Sequence, residues 1–575
     1  MADPLDVLTA RLQPAFDAVA GAPGTDPVVR PSDRADAQAN GALALAKSLG
    51  RTPRDVARAV LDAADLVGVA TAEIAGPGFI NLSLEASFIG SLVADVAADA
   101  RLGIAPARHP ERVVVDYSAP NVAKEMHIGH LRTTVIGDAL VRMLVVVGHD
   151  VVRENHIGDW GRPFGMLIEH LAELGPERAE SLVLGDLDAF YKDATTAFEE
   201  DPDFQERARR RVVLMQRRDP ETMALWQALI AQSAHHWNDV YRKLGVLLTD
   251  DDLAGESRYD ALMPVVVERL RAAGLLEESD GAEVVFPPGF TNREGEPLPL
   301  IVRSRAGAYT YATSDLACVV DRVERVGATW LLYVVGNEQS QHLAMVFAVA
   351  TMAGWLVPPA HAEHAGFGLV LGTDRKRLRS RSGEPVRFIE VIDEAIDRGV
   401  AAVVAKNPEL PAEQQLAVGH AVGIGALKYA DLSTDRARDY VFDWDRMLSF
   451  DGNTAPYLQY AHARICSIFR RAGIERADVR TTVPELAEVQ ERTLAMKVLG
   501  YGSAVTEAID RSSPHRLCTY LYELASDFTA FYEHCPVLTA PDAGTRASRL
   551  ALSDVTARVL AHGLELLGIG APEQL

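Results

Sequence analysis

The chain has 575 residues, a hydrophobic fraction of 48% and a net charge of −23. Its length predicts about three or four domains, and its apolar content is sufficient for several packed cores. The acidity disfavours a protein that coats nucleic acid without specificity, because phosphate binding depends on local cations. It still allows a folded nucleic acid to be held on a few basic faces.

Targeting and redox signals point to the cytoplasm. The first residues lack a basic region followed by an apolar stretch, and no apolar run approaches the length of a membrane span. The four cysteines are scattered without CxxC spacing, which disfavours a zinc site or a disulfide framework. We therefore expect a cytoplasmic protein with no membrane partner and no protein-bound metal.

Residues 1–108 have the pattern of a small α+β domain. Helical periodicity runs over 31–50 and ends at Gly50, a typical C-terminal stop. A second helix is predicted to begin at Thr52 and Pro53, a good N-cap and first-turn pair. Residues 72–84 alternate like a strand after a Pro-Gly turn, and 103–110 is typical of a linker.

Residues 109–452 have the rhythm of an α/β fold. A buried-type strand is predicted over 112–117, a helix over about 125–147, and a second strand with its loop over 149–161. This βαβ order predicts a doubly wound parallel sheet. Charged helical patterns over about 170–300 interrupt it as an insertion. The α/β rhythm resumes over 307–342 as strand, helix and strand, and residues 453–575 are mostly helical.

The stretch SAPNVAKEMHIGHLR, after the first of these strands, carries candidate chemistry. A helix N-terminus attracts phosphate, and ligands bind beyond the ends of parallel strands. Gly129 leaves room for a flat base, while His127 and His130 lie on one helical face and can donate to phosphate oxygens. The alternative is that both histidines only cap and pack, since NHIGDWG at 155–161 nearly repeats the motif.

These residues resemble the HIGH signature of class I aminoacyl-tRNA synthetases, in the form found in arginyl-tRNA synthetases. NHIGDWG, YATSDLAC, GNEQSQH, HAGFGLVLG, VGIGALKYADLS and FDWDRMLSFDGNTAPYLQYAHAR resemble that family in the same order. The resemblance implies a Rossmann-type catalytic domain (109–452) with a helical insertion. It also implies an α+β N-terminal domain (1–108) that contacts tRNA and an all-α anticodon-binding domain (453–575).

The second class I motif, KMSKS, departs from its usual form. The corresponding loop, 374–383, has Ser380 where the phosphate-binding lysine is expected. Members of the arginyl family commonly lack that lysine and keep one just ahead of HIGH, which is Lys124 here. An ammonium can reach phosphate oxygens from either side of a site; the alternative is a solvated surface lysine. The resemblance assigns catalysis to Lys124, His127 and His130, and ATP binding to His127, Gly129, His130, Arg379, Ser380 and Arg381.

An arginine substrate presents a planar guanidinium that two carboxylates recognise best. Asp116 ends the first strand and Asp315 follows TYATS, although Asp315 has the alternative of capping the next helix. Tyr311 offers a ring for the guanidinium plane. The resemblance assigns arginine binding to Asp116, Ser118, Asn121, Tyr311, Asp315 and Gln339.

The C-terminal region resembles the anticodon-binding domain of the family. Its stretch PYLQYAHARICSIFRR mixes aromatic and basic side chains, which stack on unpaired bases and hold phosphates. We therefore assign tRNA binding to Tyr457, Tyr460 and Arg464, with the alternative that the two tyrosines belong to the core.

The resemblance implies the ligation of L-arginine to tRNA-Arg with ATP, and we expect the chain to act as a monomer. Mg²⁺ is expected to arrive with ATP and to have no dedicated protein site. Two alternatives remain: a catalytically inactive tRNA-binding paralogue, for which Ser380 is the main argument, and a nucleotidylyltransferase of the HIGH superfamily. The long helical C-terminus disfavours the latter.

Overall fold

The computed structural model describes residues 3–175, 187–378 and 386–575. The chain forms two compact units, which divide near Pro106 and Leu448. One unit combines both ends of the chain, 1–106 with 449–566 and 570–575, and the other holds 107–448 with 567–569. In the described part of the chain, no helix has the length and apolarity needed to cross a membrane.

The N-terminal part of the first unit is a four-stranded antiparallel sheet with helices, in the strand order β1-β2-β4-β3. Its elements are α1 (Pro4–Ala20), β1 (Val29–Arg30), β2 (Ala37–Ala39), α2 (Gly41–Leu49), α3 (Pro53–Ala63), β3 (Ala70–Ala75), β4 (Phe79–Leu84) and α4 (Ala86–Ala98). Thr52 caps α3 by accepting from the Asp55 N–H, as predicted. The helical periodicity over 31–50 was wrong in its first half, where β2 pairs with β4.

The second unit is built on a four-stranded parallel sheet in the order β11-β10-β5-β6. Its core elements are β5 (Arg112–Asp116), α5 (Gly129–Val146), β6 (Asp150–Glu154) and α6 (Arg162–Leu174). Val113, Val114 and Val115 of β5 are fully buried, as expected of a central strand covered on both faces. The predicted strand–helix–strand order around the HIGH motif is therefore confirmed.

The segment between α6 and the returning sheet contains helices and a small antiparallel sheet, β7-β8-β9. Its elements are α7 (Leu187–Glu200), α8 (Pro202–Gln216), α9 (Pro220–Leu244), α10 (Met263–Ala272), β7 (Glu277–Ser279), β8 (Ala282–Val285) and β9 (Leu300–Arg303). The helical insertion predicted from sequence therefore also carries three short strands.

The chain then returns to the parallel sheet. The remaining elements of this unit are α11 (Tyr311–Val320), β10 (Trp330–Tyr333), α12 (Ser340–Met352), β11 (His361–His364), β12 (Val370–Leu371), α13 (Phe388–Lys406), α14 (Ala412–Leu432), β13 (Tyr440–Val441) and α15 (Trp444–Met447). The strand predicted from residue 307 onward is absent, because Tyr311 already begins α11. Leu316, Leu331 and Val346 pack in one apolar core with the sheet.

The C-terminal part of the first unit is helical in its regular elements, as predicted. The helices are α16 (Ala455–Ala472), α17 (Val489–Leu499), α18 (Tyr501–Asp510), α19 (His515–His534) and α20 (Ala543–Leu566). Arg492 of α17 pairs with Asp36, and Arg558 of α20 donates to the Ala97 carbonyl. These contacts join the two ends of the chain within this unit.

Candidate active site

The loop between β5 and α5 turns sharply at the carboxyl edge of the sheet. Ser118, Ala119 and Ala123 have positive φ values of 74°, 49° and 57°. L side chains seldom adopt this backbone region, so neighbouring contacts must hold the loop in place. Backbone conformations of this kind concentrate at ligand-binding sites.

Side chains of α5 and α9 provide those contacts. The Ser118 N–H donates to Thr133 Oγ1 (2.9 Å), and the Ser118 hydroxyl bonds to the Tyr241 hydroxyl (2.7 Å). The Ala123 N–H donates to Ser233 Oγ (2.8 Å). Since Ser233 and Tyr241 both belong to α9, the inserted segment helps to shape the signature loop.

The two histidines of the signature lie together, as their i, i+3 spacing predicts. Their ring centroids are 4.1 Å apart. His127 Nδ1 accepts from the Gly129 N–H (3.1 Å), which places the ring proton on Nε2, where it can be donated to a ligand. Partial burial and the Lys124 charge lower the pKa of His127, and burial with the neighbouring His127 lowers the pKa of His130 to about 3. Both rings are therefore neutral near pH 7.

Gly129 begins α5 and packs closely against the His127 ring. A Cβ at this position would lie 2.8 Å from the His127 ring. The signature opens onto a cavity of about 510 Å³, a size typical of small-ligand sites. Its walls include His127, Gly129, His130, Glu338, Phe367 and Arg377. Glu338 and Phe367 were not predicted individually, although both lie in motifs that carry the family resemblance.

Lys124 is half-buried and lies close to the histidine pair. Its Nζ is 4.0 Å from the centre of the Tyr191 ring, and its charge contributes to the lowered pKa of His127. The ammonium therefore rests against an aromatic face, and the side chain is partly shielded from solvent.

A second group of side chains is acidic and lies around α11. His342 Nε2 lies 2.6 Å from Asp315 Oδ2, and this hydrogen bond raises the pKa of His342. Asp315 is the fifth residue of α11 and therefore does not cap it. Burial, together with Asp159 and Asp315, raises the pKa of Glu256 to about 7 against the opposing charge of His156. Glu256 was missed from sequence, because no local pattern indicates that its carboxylate is buried within electrostatic range of Asp315.

Asp116 has an internal cationic partner. Arg322 Nη2 donates to Asp116 Oδ2 and Arg322 Nε donates to Glu154 Oε2, each at 2.7 Å. All three side chains are buried. A substrate guanidinium at Asp116 would have to share that carboxylate with Arg322.

The other residues assigned to arginine binding differ in exposure. Ser118 is buried and its hydroxyl is already hydrogen-bonded, whereas Asn121 and Gln339 are exposed. Tyr311 is 77% exposed at the first position of α11, one turn before Asp315. An exposed ring beside a carboxylate is available to stack on a guanidinium plane.

Part of the KMSKS-like loop can be described. Arg377 and Leu378 line the cavity beside the histidines. Arg379, Ser380 and Arg381 lie outside the described residues.

The residues assigned to tRNA binding are all on α16 and are half-buried. The Tyr457 ring contacts Tyr522 with centroids 5.7 Å apart, and the Arg464 guanidinium lies 4.2 Å over the Tyr532 ring. Tyr522 and Tyr532 both come from α19, so they were not predicted from the α16 sequence.

Among the described residues, one cluster has the composition of a metal site. His156, Asp315 and Cys318 present ligand atoms that lie within 4.8 Å of one another. Thiol and imidazole ligands do not suit Mg²⁺, which prefers oxygen ligands and retains its water. The cluster therefore does not fit the cation that accompanies ATP.

A parallel sheet whose first crossover carries a histidine pair at a cavity, with a lysine close to that pair, is the arrangement of a class I aminoacyl-tRNA synthetase. Family models agree with this geometry. Residues 92–444 match the class I (R) tRNA synthetase catalytic domain, 6–84 match the arginyl-tRNA synthetase N-terminal domain, and 458–575 match the DALR anticodon-binding domain.

Whole-chain comparisons narrow the class further. The chain is 53% identical to an arginine–tRNA ligase of Thermobifida fusca over 100% of both chains, and 44% identical to one of Erwinia tasmaniensis over 99% of both. Arginyl-tRNA synthetase structures from Plasmodium falciparum and Thermus thermophilus superpose with TM-scores of 0.84 and 0.80. Each of these structures is 26% identical to this chain. The Plasmodium alignment covers 99% of both chains, and the Thermus alignment covers 99% of this chain and 100% of its relative. The chain belongs to the arginyl-tRNA synthetase family.

Proposed function

We propose that this enzyme activates L-arginine with ATP and then transfers it to the 3′-terminal adenosine of tRNA-Arg. The arginine carboxylate attacks the α-phosphorus of ATP, the bond to the β-phosphate oxygen breaks, and pyrophosphate leaves. The ribose 2′-hydroxyl of tRNA then attacks the arginyl carbonyl and AMP leaves. The observation that carries the proposal is the histidine pair, with Lys124 beside it, at the edge of the parallel sheet.

In the first step, the signature residues stabilise charge that grows on the phosphates. His127 and His130 donate hydrogen bonds as neutral rings, and Lys124 supplies the cation for which Ser380 cannot substitute. The described part of the KMSKS-like loop contributes Arg377 to the cavity wall. We propose that Gly129, Arg379, Ser380 and Arg381 complete the ATP site. Mg²⁺ when bound would neutralise phosphate charge, and we assign no protein ligand to it.

Arginine specificity is proposed to depend on Asp315 and Glu256, with Tyr311 stacking on the guanidinium. Two carboxylates match the forked donors of a guanidinium, whereas a lysine ammonium is a point charge that fits this geometry poorly. Asn121, Ser118 and Gln339 are proposed to orient the amino and carboxylate groups. Asp116 is also proposed to contribute to guanidinium recognition, with its carboxylate shared between the substrate and Arg322.

For tRNA, we propose that Tyr457, Tyr460 and Arg464 contribute to the anticodon-binding surface. We further propose a monomeric cytoplasmic enzyme; the four cysteines are buried and form no disulfide among the described residues, which is compatible with a reducing compartment. Domain limits near 108 and 452 remain predictions.

The test is arginine-dependent exchange of labelled pyrophosphate into ATP, measured with and without tRNA-Arg. We expect exchange with arginine and none with lysine at the same concentration. Lys124→Ala should lower kcat about 10²- to 10³-fold, the usual cost of one transition-state donor, while leaving arginine affinity nearly unchanged. If exchange were absent both with and without tRNA-Arg, the inactive paralogue would be favoured, although the comparisons offer no support for it.

A further inference from the structure

The Lys124 ammonium rests on the face of an aromatic ring from the inserted segment. Its Nζ lies 4.0 Å from the centre of the Tyr191 ring, and Tyr191 belongs to α7 (Leu187–Glu200). This distance is well within the range of a cation–π contact, which draws an ammonium toward the ring face. A side chain far along the sequence thus sets where the Lys124 charge lies.

A second contact shows that α7 is fastened to the same loop. The Glu125 N–H donates to Asp188 Oδ1 at 3.1 Å, and Asp188 lies in the first turn of α7. Asp188 and Lys124 also act on the His127 imidazole with opposite sign, the carboxylate raising its pKa and the ammonium lowering it. The first turns of α7 therefore lie beside both the cation and the histidine pair.

An aromatic partner has a particular consequence for this lysine. A carboxylate would neutralise the ammonium and compete with phosphate for it, whereas a ring orients the cation and leaves its full charge available. Within residues 3–175, 187–378 and 386–575, no carboxylate forms an ion pair with the Lys124 ammonium. The flexible side chain of Lys124 is thereby held in one region and keeps its full positive charge.

We infer that Tyr191 is a positioning residue that holds the Lys124 ammonium ready for the phosphates of ATP. The inference rests on the proposed role of Lys124 and assigns to the inserted segment a part in the activation step. Tyr191 touches neither substrate nor reacting atoms, and acts only through Lys124.

The experiment compares Tyr191→Leu, Tyr191→Phe and the same changes in a Lys124→Ala background. Pyrophosphate exchange is measured in the full-length enzyme with tRNA-Arg present. We expect Tyr191→Leu to lower kcat by roughly 2- to 30-fold, the loss that corresponds to one cation–π contact, with KM for arginine unchanged. Tyr191→Phe should retain the kcat of the unaltered enzyme, because phenylalanine keeps the aromatic ring.

Two comparisons separate positioning from a general loss of structure. In the Lys124→Ala background, Tyr191→Leu should have no additional effect, since the cation it acts on is gone. Lys192→Ala, which removes an exposed side chain from the neighbouring position of α7, should leave kcat unchanged. Tyr191→Met gives the same comparison as leucine if Tyr191→Leu fails to fold.

The inference is overturned if Tyr191→Leu keeps full kcat, if it lowers kcat equally without Lys124, or if Tyr191→Phe is as impaired as Tyr191→Leu. These results are distinct from failure of the proposed function, in which the unaltered enzyme itself shows no arginine-dependent exchange.

Discussion

The Arg322 guanidinium donates a hydrogen bond to the Asp116 carboxylate across 2.7 Å, and both side chains are buried. The same guanidinium also binds Glu154, so one cation serves two carboxylates at the ends of β5 and β6. Removal of one partner from such a group leaves uncompensated buried charge, which is more costly than loss of a surface ion pair.

We therefore predict that Arg322→Met destabilises the catalytic unit by about 3–5 kcal/mol. Urea-induced unfolding followed by tryptophan fluorescence measures the change. The control is Arg209→Met, since Arg209 pairs with Glu206 and both side chains are mostly exposed; it should cost less than about 1 kcal/mol. Equal effects of the two substitutions would show that the buried pairing contributes no more than a surface pair.

The raised pKa of Glu256 predicts that arginine binding depends on pH. Burial, together with Asp159 and Asp315, raises its pKa to about 7, so it is largely protonated at pH 6 and ionised at pH 8. A guanidinium favours the ionised carboxylate, and binding should therefore tighten as the pH rises, by about tenfold over this interval if Glu256 contacts the substrate.

Calorimetric titration with arginine at pH 6, 7 and 8 tests this dependence. Below pH 7, binding should release protons, which buffers of different ionisation enthalpy detect. Glu256→Gln should weaken binding and flatten the pH profile. An unchanged slope in that variant would assign the titration to another group, such as Asp159, whose pKa is also raised by burial.

Local sequence patterns were sufficient wherever a feature depends on neighbours in the chain. The run Val113–Val115 and the Thr52–Pro53 start are examples, because burial on both faces and helix capping are set over a few residues. The close pair of His127 and His130 likewise follows from their spacing on one helical face.

Features that depend on distant partners could not be predicted in this way. The strand Ala37–Ala39 lies within a helix-like pattern and forms because β1 and β4 pair with it on either side. Arg322 and Glu256 reach the site from separate segments, and neither has a local signal for its partner. The same reason applies to Tyr191, whose ring meets Lys124 only after the inserted segment has folded.

Gly129 offers a test of the histidine arrangement. A Cβ at this position would lie 2.8 Å from the His127 ring, so Gly129→Ala must displace that ring from its hydrogen bond with the Gly129 N–H. We predict a fall in kcat for pyrophosphate exchange of about 10²-fold, comparable to the loss of one transition-state donor.

Gly500→Ala is the matched control, because a Cβ there meets its neighbours at 3.4 Å or more. It should retain normal kcat and normal thermal unfolding. If Gly129→Ala were as active as Gly500→Ala, the position of the His127 ring would not matter for activation.

Arg464 provides a prediction for tRNA binding. Its guanidinium is held 4.2 Å over the Tyr532 ring, so its orientation is restricted before any ligand arrives. If it binds a tRNA phosphate, Arg464→Met should raise KM for tRNA several-fold while leaving KM for arginine and ATP unchanged. The slope of log affinity against log salt should also become shallower by about 0.7, the contribution of one phosphate contact to a single strand.

Arg293→Met is the control, because it removes the same charge from an exposed position of the inserted segment; it should change neither KM for tRNA nor the salt slope. A variant with weaker tRNA binding but an unaltered salt slope would indicate that Arg464 supports the fold of α16 and α19 rather than contacting phosphate.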